Sequence, residues 1–84
     1  MWYVYILECS DGTLYTGITT DLDKRIGTHN KGKGSKYCKT RLPVILKMFY
    51  MIGNRSKASK EEYRIKKLTR EEKLKLITKF ELDI

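Results

Sequence analysis

Apolar and polar positions first organise the chain near its start. Trp2-Tyr3-Val4-Tyr5-Ile6-Leu7 and Thr13-Leu14-Tyr15-Thr16-Gly17-Ile18 are aromatic and β-branched runs, joined through Ser10-Asp11-Gly12. That composition suits a pleated, half-buried surface, and Asp-Gly between two such runs predicts a β-hairpin. Period-two alternation sends Tyr3, Tyr5 and Leu7 to one face and Trp2, Val4 and Ile6 to the other. So short a turn places Tyr5 and Tyr15 near each other across the ladder, where a plain aromatic pair contributes ~0.2–1 kcal/mol.

Helical spacing follows. Thr20 or Asp21 is a suitable N-cap for a helix over Leu22 to Asn30, with a Gly-containing exit at Lys31-Gly32. Leu22, Ile26 and His29 form one face, and Arg25 flanks it. Lys31 to Pro43 is a Gly- and Lys-rich connection with one helical turn around Ser35 to Cys38. Val44 to Met51 is apolar almost throughout apart from Lys47, which predicts a central third strand covered on both faces, entered through Pro43 and ended by Gly53-Asn54. Ser56 to Leu68 and Thr69 to Lys79 predict two further helices, the second opened by a Thr69/Glu72 capping box. Ala58, Ile65 and Leu68 mark the inward side of the first, while Leu74, Ile77 and Phe80 return the second to the core. Glu61 and Glu62 both fall near the inward side, and a wheel of ~100° per residue does not choose between them. A carboxylate there needs a partner or a metal. Glu62 also has a local explanation, a capping box with Ser59 as N-cap. The expected organisation is one α+β domain over residues 1–80, in the order β-β-α-β-α-α, with 81–84 as a tail.

Composition narrows the class. A chain of 84 residues, 40% hydrophobic and 33% charged, fits one small folded domain and argues against wholesale disorder. No run approaches the ~18 apolar residues of a membrane span, and no secretory leader is visible. Cytoplasmic residence is expected, with Cys9 and Cys38 as free thiols. One histidine and two cysteines make no zinc set.

Charge changes the picture more. The net charge is +8, and Lys24 to Arg41 holds seven cations and no acid, while Asn54 to Lys79 holds ten cations against four glutamates. A block so one-sided in a basic protein fits a polyanion; nucleic acid is the leading reading, ahead of an anionic membrane surface or plain solubility. Lys24, Lys31, Lys33, Lys36, Lys39 and Arg41 are the candidate phosphate contacts, and Tyr37 the candidate base-stacking ring. Taken singly, Arg25 reads as a cation snorkelling over the core and His29 as a satisfied, part-buried histidine.

Together, Tyr3-Val4-Tyr5, Tyr15-Thr16-Gly17, Arg25 and His29 one helical turn apart, Pro43, and Ala58-x-x-x-Glu62-x-x-Ile65-Lys66 change those readings. This ordered set resembles the GIY-YIG nuclease family, and is most similar to its small standalone bacterial members, over nearly the whole chain. The resemblance implies a small three-stranded antiparallel sheet flanked by helices, and a metal-dependent endonuclease, a hydrolase of phosphodiesters. It assigns catalytic places to Tyr5, Tyr15, Arg25, His29 and Glu62, makes Glu62 the metal ligand, and puts Gly17 where backbone must lie close to the site. Two departures stand out: Tyr3 occupies the place of the family's first glycine, and the asparagine of some members has no evident counterpart.

The residue types suit that chemistry. Glu62 offers a hard carboxylate to one hydrated Mg²⁺ or Mn²⁺. Arg25 can clamp non-bridging oxygens with a fork that Lys lacks. A tyrosine near pKa ~10 becomes a base only if Arg25 and a metal lower that value; Tyr5, Tyr15 and His29 all stay open for the role. The expected substrate is DNA of branched, nicked or damaged structure, as in repair or recombination, because so short a chain leaves no room for a sequence-reading domain. RNA stays open as substrate, a targeting protein as partner, and the oligomeric state is undetermined. The competing reading is a nucleic-acid binding module of the same fold with little activity alone.

Overall fold

The two N-terminal runs do form the hairpin, but the strand at the centre of the sheet is the first one. In the computed structural model, which describes residues 1–82, β1 (Trp2–Glu8) lies between β2 (Leu14–Thr19) and β3 (Ile45–Ile52), all antiparallel, in the order β2-β1-β3. Val4, Tyr5, Ile6 and Leu7 are all buried, as a strand covered on both faces must be. The centrality expected of the third run is therefore corrected. β3 is an edge strand: Ile45 and Met51 are 59% and 61% exposed, so its apolar run does not mean two covered faces.

The register places the two phenols near each other across the ladder, as expected, and specifies how. Tyr5 stands opposite Gly17, and Tyr15 opposite Leu7, so the two phenols are diagonal neighbours on one face instead of direct partners. The turn from Cys9 to Thr13 is closed by Cys9 N–H donating to Thr13 O at 2.8 Å and Gly12 N–H to Cys9 O at 2.9 Å. Gly12 has φ +83°, a conformation that glycine adopts without a Cβ penalty.

Each sheet face carries its own core. Val4, Ile6 and Met48 meet Ala58 and Ile65 of α3 (Arg55–Lys66) and Ile77 of α4 (Arg70–Leu82). On the other face Tyr5, Leu7, Cys9, Cys38 and Val44 pack with Leu22 and Ile26 of α1 (Leu22–Asn30) and beside α2 (Lys36–Lys39). The period-two assignment of β1 thus holds, and each fully buried aliphatic side chain contributes about 1.5–3 kcal/mol.

Capping chemistry sets the helix starts. Asp21 caps α1 by accepting from Lys24 N at 3.1 Å, and Asn54 caps α3 by accepting from Lys57 N at 2.9 Å. Ser59 lies inside α3, so the capping-box explanation of Glu62 is removed. The predicted box at α4 forms: Thr69 N–H donates to Glu72 Oε1 at 2.9 Å, and Glu72 N–H to Thr69 Oγ1 at 3.2 Å. α4 runs on to Leu82, past the expected end at Lys79, so Glu81 and Leu82 of the expected tail are helical; residues 83 and 84 lie outside the described residues. No helix among the described residues is long and apolar enough to cross a membrane.

Candidate active site

The face covered by α1 and α2 gathers the chemistry. Tyr5, in the middle of the central strand, is 1% exposed, and its ring lies over Gly17 across the ladder. A Cβ at Gly17 would come within 2.6 Å of the ring's Cζ and closer still to its hydroxyl. The missing side chain is what makes room for the phenol.

His29, in the last turn of α1, is wholly enclosed. Its Nε2 lies 3.0 Å from Tyr5 Oη, and the Ser35 N–H faces Nδ1 from 3.5 Å. That long amide contact favours the tautomer protonated at Nε2, in which His29 donates to the phenol oxygen. A second glycine serves the imidazole: a Cβ at Gly34 would fall 2.8 Å from His29 Cε1. Its cue in the sequence was only a Gly-Ser pair shortly after the histidine.

Arg25, one turn before His29, places positive charge beside both the Tyr5 phenol and the imidazole. Burial pushes the Tyr5 phenol up to about 12, and Arg25 only partly offsets this. Arg25 alone does not bring Tyr5 below its ordinary value, because desolvation is the larger effect here. His29 is shifted down from its usual range, first by burial and then by Arg25, so it is neutral at neutral pH.

Tyr15 completes the group from β2. It meets His29 edge-on, with ring centroids 5.5 Å apart, and stacks on Tyr37 at 6.1 Å and 23°. Tyr15 is part-exposed where Tyr5 is enclosed. The fold therefore brings Tyr5, Tyr15, Gly17, Arg25 and His29 together from β1, β2 and α1.

The two glutamates turn opposite ways. Glu61 pairs with Arg64 and lines a cleft of about 330 Å³ with Met48, Tyr50 and Phe80, on the β3 and α4 side. Tyr50 there is raised to about 12 by burial and then by the Glu61 charge. Glu62 falls on the inward stripe between Ala58 and Ile65, and its Oε2 pairs with Lys66 Nζ at 3.4 Å. That ammonium lies 5.9 Å from the Tyr15 ring centroid, which puts Glu62 on the β2 side, at one remove from the phenols. Its ion-pair partner is Lys66, not Arg25. Among the described residues no group of three or more His, Cys, Asp and Glu side chains can hold a metal. A single carboxylate fits a hydrated Mg²⁺ or Mn²⁺, which keeps several waters, and does not fit zinc.

The basic segment divides. Lys24, Lys31, Lys33, Lys36 and Lys39 are exposed, and none is in an ion pair among the described residues. Tyr37 and Arg41 also make contacts within the protein. Tyr37 stacks on Tyr15, and Arg41 pairs with Asp11 at 3.0 Å. Cys9 and Cys38 are buried free thiols, as expected.

A small antiparallel sheet with two tyrosines, an arginine and a histidine converging on one face defines a nuclease-type domain. The family model described as the GIY-YIG catalytic domain matches residues 1–75, and the chain belongs to the GIY-YIG family, a family of nuclease domains. Within it, the chain is similar to proteins named UPF0213. One from Staphylococcus haemolyticus is 53% identical over 75 residues, covering 89% of this chain and 92% of that protein. Another, from Halobacterium salinarum, is 49% identical over 73 residues, covering 87% and 95%. Among solved structures, the solution NMR structure of a UPF0213 protein from Bacillus halodurans superposes with TM-score 0.59 at 46% identity, covering 93% of this chain and 84% of that one. The solution NMR structure of a protein from E. faecalis gives 0.64 at 43% identity, covering 95% and 85%. These likenesses bear out the fold class and the resemblance read from the sequence.

Proposed function

We propose that this protein is a metal-dependent endonuclease that hydrolyses phosphodiester bonds in DNA, directed by the structure of the substrate and serving repair or recombination in the cytoplasm. The observation that carries the reading is the convergence on Tyr5: His29 Nε2 at 3.0 Å, the Arg25 charge beside both phenol and imidazole, and Tyr15 beside the same imidazole.

In this reading Arg25 keeps enough of its five donors free to clamp the non-bridging oxygens of the scissile phosphate. Tyr5 and His29, both enclosed, hold Arg25 and the wall of the site in place. Tyr15, the phenol that solvent reaches, gives its own proton to bulk water and, as the phenolate, takes the proton of the attacking water. Glu62 would hold a hydrated Mg²⁺ or Mn²⁺, which would supply charge neutralisation and water activation when bound. The exposed lysines from Lys24 to Lys39 carry the flanking strand, and a protein partner supplies any further targeting.

The pairing of Glu62 with Lys66 favours one other reading, a nucleic-acid binding module of the same fold with little activity alone. Labelled branched DNA and RNA, incubated with Mg²⁺, Mn²⁺ or EDTA, separate the two. Metal-dependent products support the enzyme. A salt-sensitive gel shift without any products overturns it in favour of the module.

A further inference from the structure

Tyr37 and Arg41 fall in the basic segment expected to hold nucleic acid, yet both, at the surface, are engaged by other groups of the protein. Arg41 is anchored from several sides. Its Nε donates to Asp11 Oδ2 at 3.0 Å, and its Nη1 donates to Tyr37 O at 2.7 Å and Thr40 Oγ1 at 3.2 Å. The backbone repeats the tie: Arg41 N–H donates to Cys38 O at 2.8 Å, and Ser10 N–H to Arg41 O at 2.9 Å. With the guanidinium so fixed, its central carbon lies 4.0 Å from the Tyr37 ring centroid, over the ring. Tyr37 in turn stacks on Tyr15, which stands edge-on to His29.

Asp11 is equally fixed. Its Oδ1 accepts from Thr13 N at 3.1 Å and Thr13 Oγ1 at 2.6 Å, inside the β1–β2 turn. Those Thr13 bonds, and then Arg41, hold the carboxyl below its ordinary range.

We propose that Arg41 is a positioning residue: anchored on Asp11, it holds Tyr37 against Tyr15 and so fixes the phenol assigned to the attacking water. This rests on the nuclease reading above and deepens it. An arginine serving as a phosphate contact would instead present its fork to solvent. Here one nitrogen is spent on a carboxylate of the hairpin turn and another on backbone and hydroxyl oxygens, and the end of α2 is tied to the turn that leads into the strand carrying Tyr15. The short helix thus acts as a strap across the site. Its sequence signature is the distant pair Asp11 and Arg41.

The decisive variant is Asp11→Asn, because the two roles predict opposite signs. Removing an acid from a DNA-binding surface and releasing a cation would tighten binding and leave cleavage equal or faster. Loosening a strap misplaces Tyr15, so single-turnover cleavage falls by about ten-fold to a hundred-fold while DNA affinity is unchanged or slightly higher. Arg41→Ala gives the same cleavage loss with the salt dependence of binding unaltered, and the double variant is no worse than the poorer single one. In both variants the Tyr15 ring proton resonances move toward ordinary tyrosine positions as Tyr37 leaves, while the amide resonances of Val4 and Ile6 stay in place. Unmoved Tyr15 resonances with unchanged or faster cleavage in Asp11→Asn overturn the proposal, as does a drop of about one in the salt slope for Arg41→Ala. If the wild-type protein cleaves no nucleic acid, the nuclease reading fails, and the Tyr15 resonances still decide whether Arg41 positions that ring.

Discussion

Tyr5 occupies the space that a side chain at Gly17 would need: the two residues face each other across the β1–β2 ladder, with the phenol lying over the glycine. Being enclosed in the central strand and bonded to His29, the ring has little room to give. Gly17→Ala therefore forces either the strand or the phenol to move. Overpacking of this kind costs about 1–3 kcal/mol. We expect a lowered urea midpoint together with loss of cleavage; a variant as stable and as active as the parent would show that the contact yields freely.

Glu62 and Arg25 separate stability from chemistry. Glu62→Gln breaks only a part-exposed pair with Lys66, a type of interaction worth about 0.3–0.5 kcal/mol. Arg25→Ala removes a positive charge from beside Tyr5 and His29 and leaves the hydrogen bond between those two residues in place. Both proteins are expected to stay folded by circular dichroism, and both to lose cleavage. Calorimetric titration with Mn²⁺ distinguishes them, since binding heat disappears in Glu62→Gln and survives in Arg25→Ala. Retained Mn²⁺ binding in Glu62→Gln would remove Glu62 from the metal site.

Tyr15→Phe tests the division of labour between the phenols. It deletes one hydroxyl at a part-exposed position and keeps the ring that Tyr37 and His29 contact. Loss of a group that moves a proton in the transition state lowers the rate by about 10²–10⁴-fold. Cleavage is expected to fall by that much with DNA affinity unchanged. A larger loss in Tyr5→Phe than in Tyr15→Phe would reverse the assignment.

Much of this site was legible in the residue order, and the reasons differ from element to element. The hairpin, the face assignment of β1 and the α4 capping box rest on local chemistry, so sequence pattern carried them. The exact register was not legible: the turn spans Cys9 to Thr13, and that length puts Gly17 opposite Tyr5 and leaves Tyr15 its diagonal neighbour. The position of β3 also escaped, because eight mostly apolar residues look alike whether covered on both faces or left at an edge. Glu61 and Glu62 were inseparable on a helical wheel, and only packing turned one to β3 and the other to β2. The anchoring of Arg41 depends on Asp11, thirty residues away, a tie that no local periodicity encodes.

His29 gives the fold an acid limit. Its folded pKa lies below the unfolded value of about 6.5, so the unfolded chain binds the proton more readily. Stability from this group is full above about pH 6.5 and declines as the pH falls toward the folded pKa. Urea midpoints are expected to drop between pH 7 and pH 5.5, above the range in which ordinary carboxylates titrate. His29→Gln should flatten that segment of the profile, whatever its stability at neutral pH. Parallel profiles for the parent and the variant would mean that another group sets the acid limit.

The five exposed lysines make a separate, electrostatic prediction. Lys24, Lys31, Lys33, Lys36 and Lys39 lie in a segment without acids, in and beyond the helix that carries Arg25, and none is neutralised by an ion pair among the described residues. Each lysine that meets a phosphate releases a counterion, steepening the dependence of log affinity on log salt by about 0.9 for duplex DNA. Removing Lys31 and Lys33 together should therefore flatten the slope by about 2 without sequence preference. Lys75→Ala is the control: this lysine is exposed on α4, which covers the opposite face of the sheet, so its loss should leave the slope unchanged. Fluorescence anisotropy between 50 and 200 mM salt reads both slopes. An unchanged slope in the double variant, or an equal loss in Lys75→Ala, would place the nucleic acid on a different surface, away from the phenols and Arg25.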